Sequence, residues 1–195
     1  TTVVPGTRRN LDSLLESHFG VTPLVIRDSI VDLGFEILVE RPEQVGADRL
    51  VTAVGAHLLH PGHLIVLDFG TGTTFDLVDD KGNWCGGVIA PGINLSVEAL
   101  YMAGALLPRV NIEKPEKVIG GATVPAMQSG IFWGYVSMIE GMIPRIADEY
   151  GKPVTVVATG GLAPLFADVI DAIDATEPDL TLTGLREIAR RNGIA

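Results

Sequence analysis

Cysteine is nearly absent: Cys85 is the one thiol in 195 residues. No intrachain disulfide can form, and nothing in the cysteine usage points to an oxidising compartment. Cys85 itself reads as a small buried apolar residue. Long apolar runs are missing too. Runs such as Leu64–Leu67 and Val154–Ala158 fall far short of the roughly 20 residues a membrane helix needs, and no signal-peptide pattern opens the chain. The cytoplasm is the expected location, with no membrane partner. Basic residues are scarce, 14 Lys and Arg against 24 Asp and Glu, for a formal charge of −10. That balance argues against nucleic acid or an anionic membrane as partner. It leaves anionic small molecules open, because backbone N–H groups hold phosphate without basic side chains. The sequence also lacks internal repeats, low-complexity tracts and long linkers.

What it has in excess is glycine, 23 of 195 residues, about 12% against about 7% in average proteins. With 47% hydrophobic and 19% charged residues, the chain is long enough to bury a core without staples. Its length suits one or two domains.

Apolar periodicity and breakers predict the elements. Thr1–Val4 reads as a strand, Asn10–Phe19 as a helix, Val21–Arg27 as a strand, and the stretch from Pro42 to Pro61-Gly62 as a second helix, so residues 1–60 read β-α-β-α. Then come a strand at Leu64–Asp68, a tight loop at Gly70–Thr74, and a hairpin of Phe75–Val78 and Trp84–Ile89. Helices are expected from Pro91-Gly92 to about Leu107, at Ala126–Tyr150, Leu162–Val169 and Leu180–Asn192, with a strand at Val154–Ala158. Strands alternating with helices make an α/β protein, and the hairpin makes its sheet mixed.

Four constellations carry chemistry. The first is Asp68-Phe69-Gly70-Thr71-Gly72-Thr73-Thr74. A strand delivers Asp68 to its carboxyl end, where ligands of α/β sheets bind. The glycines admit a ligand to the backbone, and the carboxylate suits a hard cation; a self-bonded hairpin loop is the plainer alternative. The second is Gly46-Ala47-Asp48-Arg49 at a helix start. Asp48 is either a first-turn carboxylate favoured by the helix dipole or a general base, with Arg49 available to a carboxylate. The third is Thr159-Gly160-Gly161 after an apolar strand, a shape common to nucleotide-binding turns and ordinary strand–helix junctions. The fourth is Gly120-Gly121-Ala122-Thr123 before a long helix, with Thr123 as N-cap or ligand contact. Gly130 and Gly134 share a face of that helix, for close approach by another chain or for ordinary packing within this one. Gly86-Gly87 and Pro91-Gly92 are expected in a loop near Asp68, Trp84 and Trp133 in a core or interface, and the four histidines at surfaces or helix ends.

As a set, Gly46–Arg49, Asp68-x-Gly-Thr-x-x-Thr74, Gly86-Gly87-x-Ile89-x-Pro91-Gly92, Thr123 and Thr159-Gly160-Gly161 resemble type III pantothenate kinases, of the acetate/sugar kinase and actin-like ATPase superfamily. The resemblance runs from Thr1 to the end of the chain. It implies a ribonuclease H-like mixed sheet flanked by helices, with residues 1–60 part of one actin-like ATPase domain and 61–195 the other. It implies transfer of the γ-phosphoryl group of ATP to pantothenate, the first step to coenzyme A. By that resemblance Asp48 is the general base, and Gly46, Ala47, Asp48, Arg49 and Thr123 contact pantothenate. Asp68 holds a monovalent cation, K⁺ or NH₄⁺, while Gly70, Thr71, Gly160 and Gly161 face ATP, which is used with Mg²⁺. A homodimer with pantothenate bound between chains is implied as well. A non-catalytic ligand-binding homologue of the same fold is the alternative. Two departures stand out. Val39 occupies the position of a usual tyrosine nine residues before the base. The family's opening Asp-x-Gly-Asn-Thr segment has no counterpart, so the chain is expected to be a fragment with little turnover on its own.

Overall fold

The computed structural model describes residues 5–26, 30–104 and 107–194. Helix α1 (Pro5–Phe19) and helix α2 (Ala47–Leu59) precede a strand–hairpin unit of β1 (Leu64–Phe69), β2 (Gly72–Val78) and β3 (Trp84–Pro91). Helices α3 (Ile93–Ala103) and α4 (Thr123–Tyr150) follow, then β4 (Thr155–Thr159), α5 (Ala163–Ala167), β5 (Ala175–Thr176) and α6 (Leu180–Arg191). The five strands form one sheet in the order β3-β2-β1-β4-β5. The pairs β3·β2 and β2·β1 are antiparallel, and β1·β4 and β4·β5 are parallel. The expected mixed α/β sheet is therefore present.

Strand β1 is the centre of this sheet because its residues Leu64–Leu67 are apolar on both faces and wholly buried. Register alternation sorts its side chains. Leu64, Val66 and Asp68 share a face with Val78, Asp76 and Thr74 of β2 and with Val157 and Thr159 of β4. Helices α2 and α6 cover that face through Leu50, Ala53, Ala56 and Leu180. Ile65, Leu67, Phe69 and Phe75 point the other way, onto Ile93, Phe132, Ile139 and Phe166 from α3, α4 and α5. The rings of Phe69 and Phe166 stack there with centroids 5.2 Å apart.

Where α2 crosses α6 the backbones nearly touch. A Cβ on Gly184 would lie 1.9 Å from the Val51 carbonyl oxygen, and one on Gly55 would lie 2.1 Å from that of Leu180. The hydroxyls of Thr52 and Thr181 pair across the same crossing at 2.9 Å.

The first sixty residues depart from the predicted β-α-β-α pattern. Val21–Ile26 forms no strand, while Thr1–Val4 and Arg27 lie outside the described residues. Leu24 and Ile26 instead dock on the cluster of Val51, Val54 and Ile188, so their apolar alternation is satisfied by helix surface rather than by a neighbouring strand. Residues near 37 reach the sheet in one place: Leu38 donates to the Trp84 carbonyl at 2.8 Å, and Trp84 donates to that of Glu36 at 2.9 Å. The helix expected from Pro42 is a single 3₁₀ turn, Pro42–Gln44, with α2 starting later at Ala47. The expected strand Trp84–Ile89 is present as β3 and runs two residues further, to Pro91, so Gly86-Gly87 and Pro91 lie in the strand rather than in a loop. Helix α3 stops at Ala103 because Gly104 is extended. Helix α4 begins at Thr123, three residues before the expected start, and ends at left-handed Gly151. On α4, Gly130 and Gly134 face open space, so packing within the chain does not account for them. Cys85 is half-buried, not buried, with its thiol 3.5 Å from the Asn83 carbonyl.

Candidate active site at the carboxyl ends of the parallel strands

Strands β1 and β4 run parallel and end side by side, Asp68 opposite Thr159. Asp68, Thr74, Asp76 and Thr159 project from the sheet face that carries α2. The first turn of α2 holds Asp48 and Arg49. Gly46 is its N-cap residue, with extended dihedrals and no side-chain cap. A Cβ at Gly46 would sit 2.4 Å from Asp48 Oδ1, so glycine there leaves room for the carboxylate. Asp48 folds back over the helix start and accepts the Arg49 backbone N–H at 3.0 Å, where the helix dipole favours negative charge.

Asp68 feels the charges of Asp76 and Asp48. The Asp68 carboxyl is pushed above its ordinary pKa, first by burial and then by the charges of Asp76 and Asp48. Asp76 is 1% exposed, and burial pushes it up as well, opposed by Arg49, Trp84 and Thr74. Its Oδ1 accepts the indole N–H of Trp84 at 2.9 Å and lies 2.7 Å from Arg49 Nη2. Its Oδ2 accepts the Thr74 hydroxyl at 3.0 Å. Asp76 is thus a compensated buried charge, whereas Asp68 has no hydrogen-bond or cationic partner among the described residues. Nor do any three Asp, Glu, His or Cys side chains among the described residues converge closely enough to hold a metal ion. A single uncompensated carboxylate suits one weakly charged cation whose other ligands are neutral oxygens. It does not suit a divalent ion caged by several carboxylates.

Two cavities flank this cluster. One, of about 500 Å³, is lined by Phe69, Gly70, Thr71, Asn94, Gly161 and Leu162. Gly160, at its edge, has φ +93°, and a Cβ there would lie 2.7 Å from the Phe69 carbonyl oxygen and 2.8 Å from Asp68 Oδ1. Only glycine brings β4 into its turn so close to β1. The loop at Gly70-Thr71 is seated on Gly92, whose Cβ would fall 2.2 Å from the Thr71 carbonyl oxygen. Of the expected loop Gly86–Gly92, it is the Gly92 end that meets the Asp68 loop. The other cavity, of about 730 Å³, is lined by Val39, Arg41, Gln44, Arg49, Trp84 and Gly87 among others.

The structure therefore gathers Gly46, Ala47, Asp48, Arg49 and Asp68 around one end of the sheet, with Gly70, Thr71 and Gly161 lining the adjoining cavity and Gly160 against Phe69 and Asp68. Thr123 is exposed at the start of α4 and lines neither cavity. Asp76 and Arg41 were not legible as site residues from the sequence, Thr74 entered only as the end of the Asp68–Thr74 motif, and Trp84 read as core or interface. A carboxylate inside the apolar strand Gly72–Val78 was the available signal, since a buried charge requires a partner.

A mixed sheet whose parallel strands end in a carboxylate and a glycine turn, joined to an antiparallel hairpin, defines the class: the actin-like ATPase and sugar kinase fold. Solved structures agree at the level of fold. A Campylobacter jejuni protein named for the Baf family of transcriptional activators aligns with TM-score 0.58 at 19% identity, covering 84% of this chain and 71% of that one. A Sinorhizobium meliloti protein named for 2-dehydro-3-deoxygalactonokinase aligns with TM-score 0.51 at 16% identity, covering 75% and 59%. Sequence comparison goes further. The family model for type III pantothenate kinase matches residues 1–145. Proteins named type III pantothenate kinase are 62% identical over 190 residues in Paramagnetospirillum magneticum, 97% of this chain and 73% of that protein, and 60% identical in Rhodospirillum rubrum, over 97% and 74%. One from Caulobacter vibrioides is 52% identical over 197 residues, all of this chain and 75% of that protein. The chain belongs to the type III pantothenate kinase family.

Proposed function

We propose that this protein transfers the γ-phosphoryl group of ATP to the primary hydroxyl of pantothenate, giving 4′-phosphopantothenate and ADP. What carries the reading is that a chain of this family gathers Asp48, Arg49 and Asp68 at the carboxyl ends of the parallel strands, beside a glycine-lined cavity. Phosphoryl transfer is mostly positioning and charge neutralisation. Asp48 accepts the hydroxyl proton as the hydroxyl oxygen bonds to the γ-phosphorus and the bond to the ADP oxygen breaks. Gly46, Ala47 and Arg49 bind pantothenate, Arg49 through the substrate carboxylate in the larger cavity. Gly70, Thr71, Gly160 and Gly161 approach the phosphates with backbone N–H groups and a hydroxyl.

Asp68 would hold a monovalent cation, K⁺ or NH₄⁺, whose positive charge offsets that of the phosphates; its uncompensated carboxylate supports this. Mg²⁺ would enter with the nucleotide, ligated by phosphate oxygens and water. The enzyme is read as a homodimer in which Thr123 completes the partner's pantothenate site. Exposed apolar side chains on and around α3 and α4, among them Ile89, Met102, Val118 and Ile119, and the open glycine face at Gly130 and Gly134 support this. Residues 1–60 and 61–195 are read as parts of successive ATPase-fold domains. Among the described residues no helix is long and apolar enough to cross a membrane. A coupled ADP-release assay on the full-length protein tests the function: turnover is expected to require pantothenate, ATP and Mg²⁺ and to rise with K⁺. The reading fails if pantothenate elicits no ADP release.

A further inference from the structure

Arg49 is ion-paired with Asp76 through Nη2, so one nitrogen of its guanidinium is already committed inside the protein. A guanidinium carries its donors on a rigid planar fork, so fixing one edge fixes the direction of the other. Two contacts fix this one, and two more hold the carboxylate it meets. Nη2 lies 2.7 Å from Asp76 Oδ1. The guanidinium carbon sits over the Trp84 ring, 5.0 Å from its centroid. The same Asp76 oxygen takes the Trp84 indole N–H at 2.9 Å, and Thr74 holds the other oxygen. Nε and Nη2 are buried and make no hydrogen bond, Nη2 meeting Asp76 as an ion pair only; Arg49 lines the larger cavity, and Nη1 is the nitrogen left to serve it. Gly87 stands opposite Asp76 on β3. A Cβ there would lie 2.6 Å from Arg49 Nη2 and 2.2 Å from the Phe75 carbonyl oxygen, so the seat exists because position 87 has no side chain.

We propose that Asp76 and Trp84 form a buried seat that aims the free edge of Arg49 into the larger cavity, making Asp76 a positioning residue for the carboxylate end of the substrate. This rests on the reading that Arg49 binds that carboxylate. The alternative role for Asp76, neutralising a buried arginine for stability alone, makes a different prediction. It would leave discrimination between charged and uncharged substrates untouched.

The test uses the full-length enzyme with two substrates: pantothenate, and pantothenol, the alcohol that keeps the reacting hydroxyl and lacks the carboxylate. Asp76→Asn is expected to raise KM for pantothenate by about tenfold or more, the scale of one charge-assisted hydrogen bond misdirected. The KM for pantothenol should move by less than about threefold, and kcat should fall less than KM rises. Trp84→Phe keeps the ring and removes the indole donor, and is expected to shift the pantothenate KM in the same direction by a smaller factor; it serves if Asp76→Asn does not fold. Arg49→Ala in parallel separates the two layers of the argument. If Arg49→Ala abolishes the preference for pantothenate over pantothenol while Asp76→Asn and Trp84→Phe retain it, the seat is refuted and the carboxylate reading stands. If Arg49→Ala retains that preference, the carboxylate reading falls and the seat with it.

Discussion

Adjacent glycines at 160 and 161 should respond oppositely to the same methyl group. At Gly160 an alanine meets two penalties. Its φ of +93° is a region L-residues avoid, at a cost of about 1–3 kcal/mol. Its Cβ would also stand 2.7 Å from the Phe69 carbonyl oxygen, a backbone atom that no rotamer change can move, and overpacking of this kind costs about 1–3 kcal/mol more. Gly160→Ala should therefore lose about 2–6 kcal/mol of stability, a large share of the 5–15 kcal/mol a domain possesses. At Gly161 φ is not positive and nothing lies within 4 Å of the added carbon, so Gly161→Ala should change stability by less than about 0.5 kcal/mol. Gly161 does line the smaller cavity, however, so its methyl should raise KM for ATP. Urea unfolding monitored by tryptophan fluorescence gives the first quantity and steady-state kinetics the second. Equal midpoints for the two variants would refute the claim that the β4 turn is held against β1 by absence of a side chain. An unchanged ATP KM in Gly161→Ala would remove that cavity from nucleotide binding.

Three other outcomes follow from the same geometry. Asp48→Asn should lower kcat by about 10²–10⁴-fold while leaving the far-UV spectrum and unfolding midpoint unchanged; near-normal turnover would dismiss Asp48 as base. Because burial, Asp76 and Asp48 raise the Asp68 pKa, the folded state binds its proton more tightly than the unfolded chain does. The ionised carboxylate thus costs stability above the folded pKa, and that cost fades below the unfolded value of about 3.9. Asp68→Asn should stabilise the protein at pH 7, with the gain shrinking as pH falls towards 4, and should abolish activation by K⁺; a destabilised variant at pH 7 would contradict this. Gly184→Ala, which drives a methyl to 1.9 Å from the Val51 carbonyl oxygen, should cost at least about 2 kcal/mol by thermal unfolding. A wild-type midpoint would mean the α2–α6 crossing is looser than described.

Legibility in the sequence followed the range of the interactions. Strands β1 and β4, the hairpin and the long helices were readable because each is marked by its own apolar run and breakers. Val21–Ile26 was misread since alternating apolar residues satisfy a helix surface as well as a sheet, and only the packing partner decides. Within that hairpin, Gly86-Gly87 and Pro91 mimic a loop while lying in β3; glycine at 87 is required by an arginine from another element. In the site, Asp48 and Asp68 were visible at element ends, where local pattern is strong. Asp76 was not, because its meaning depends on Arg49, 27 positions earlier (76 − 49), and on Trp84 across a hairpin. Long-range pairing of this kind leaves no periodic trace.

The α2–α6 crossing has a consequence for how the family's chemistry is encoded. The family model spans residues 1–145 and so contains Asp48, Arg49 and Asp68. Yet the helix that presents Asp48 and Arg49 is clasped at Gly55 by α6, residues 180–191, and the turn that closes on Asp68 is at Gly160. These three residues lie inside the shared signature, and two of the parts that hold them still, α6 and the turn at Gly160, lie beyond it. Divergence among relatives in the last fifty residues would therefore register as altered turnover without any change at a chemical group.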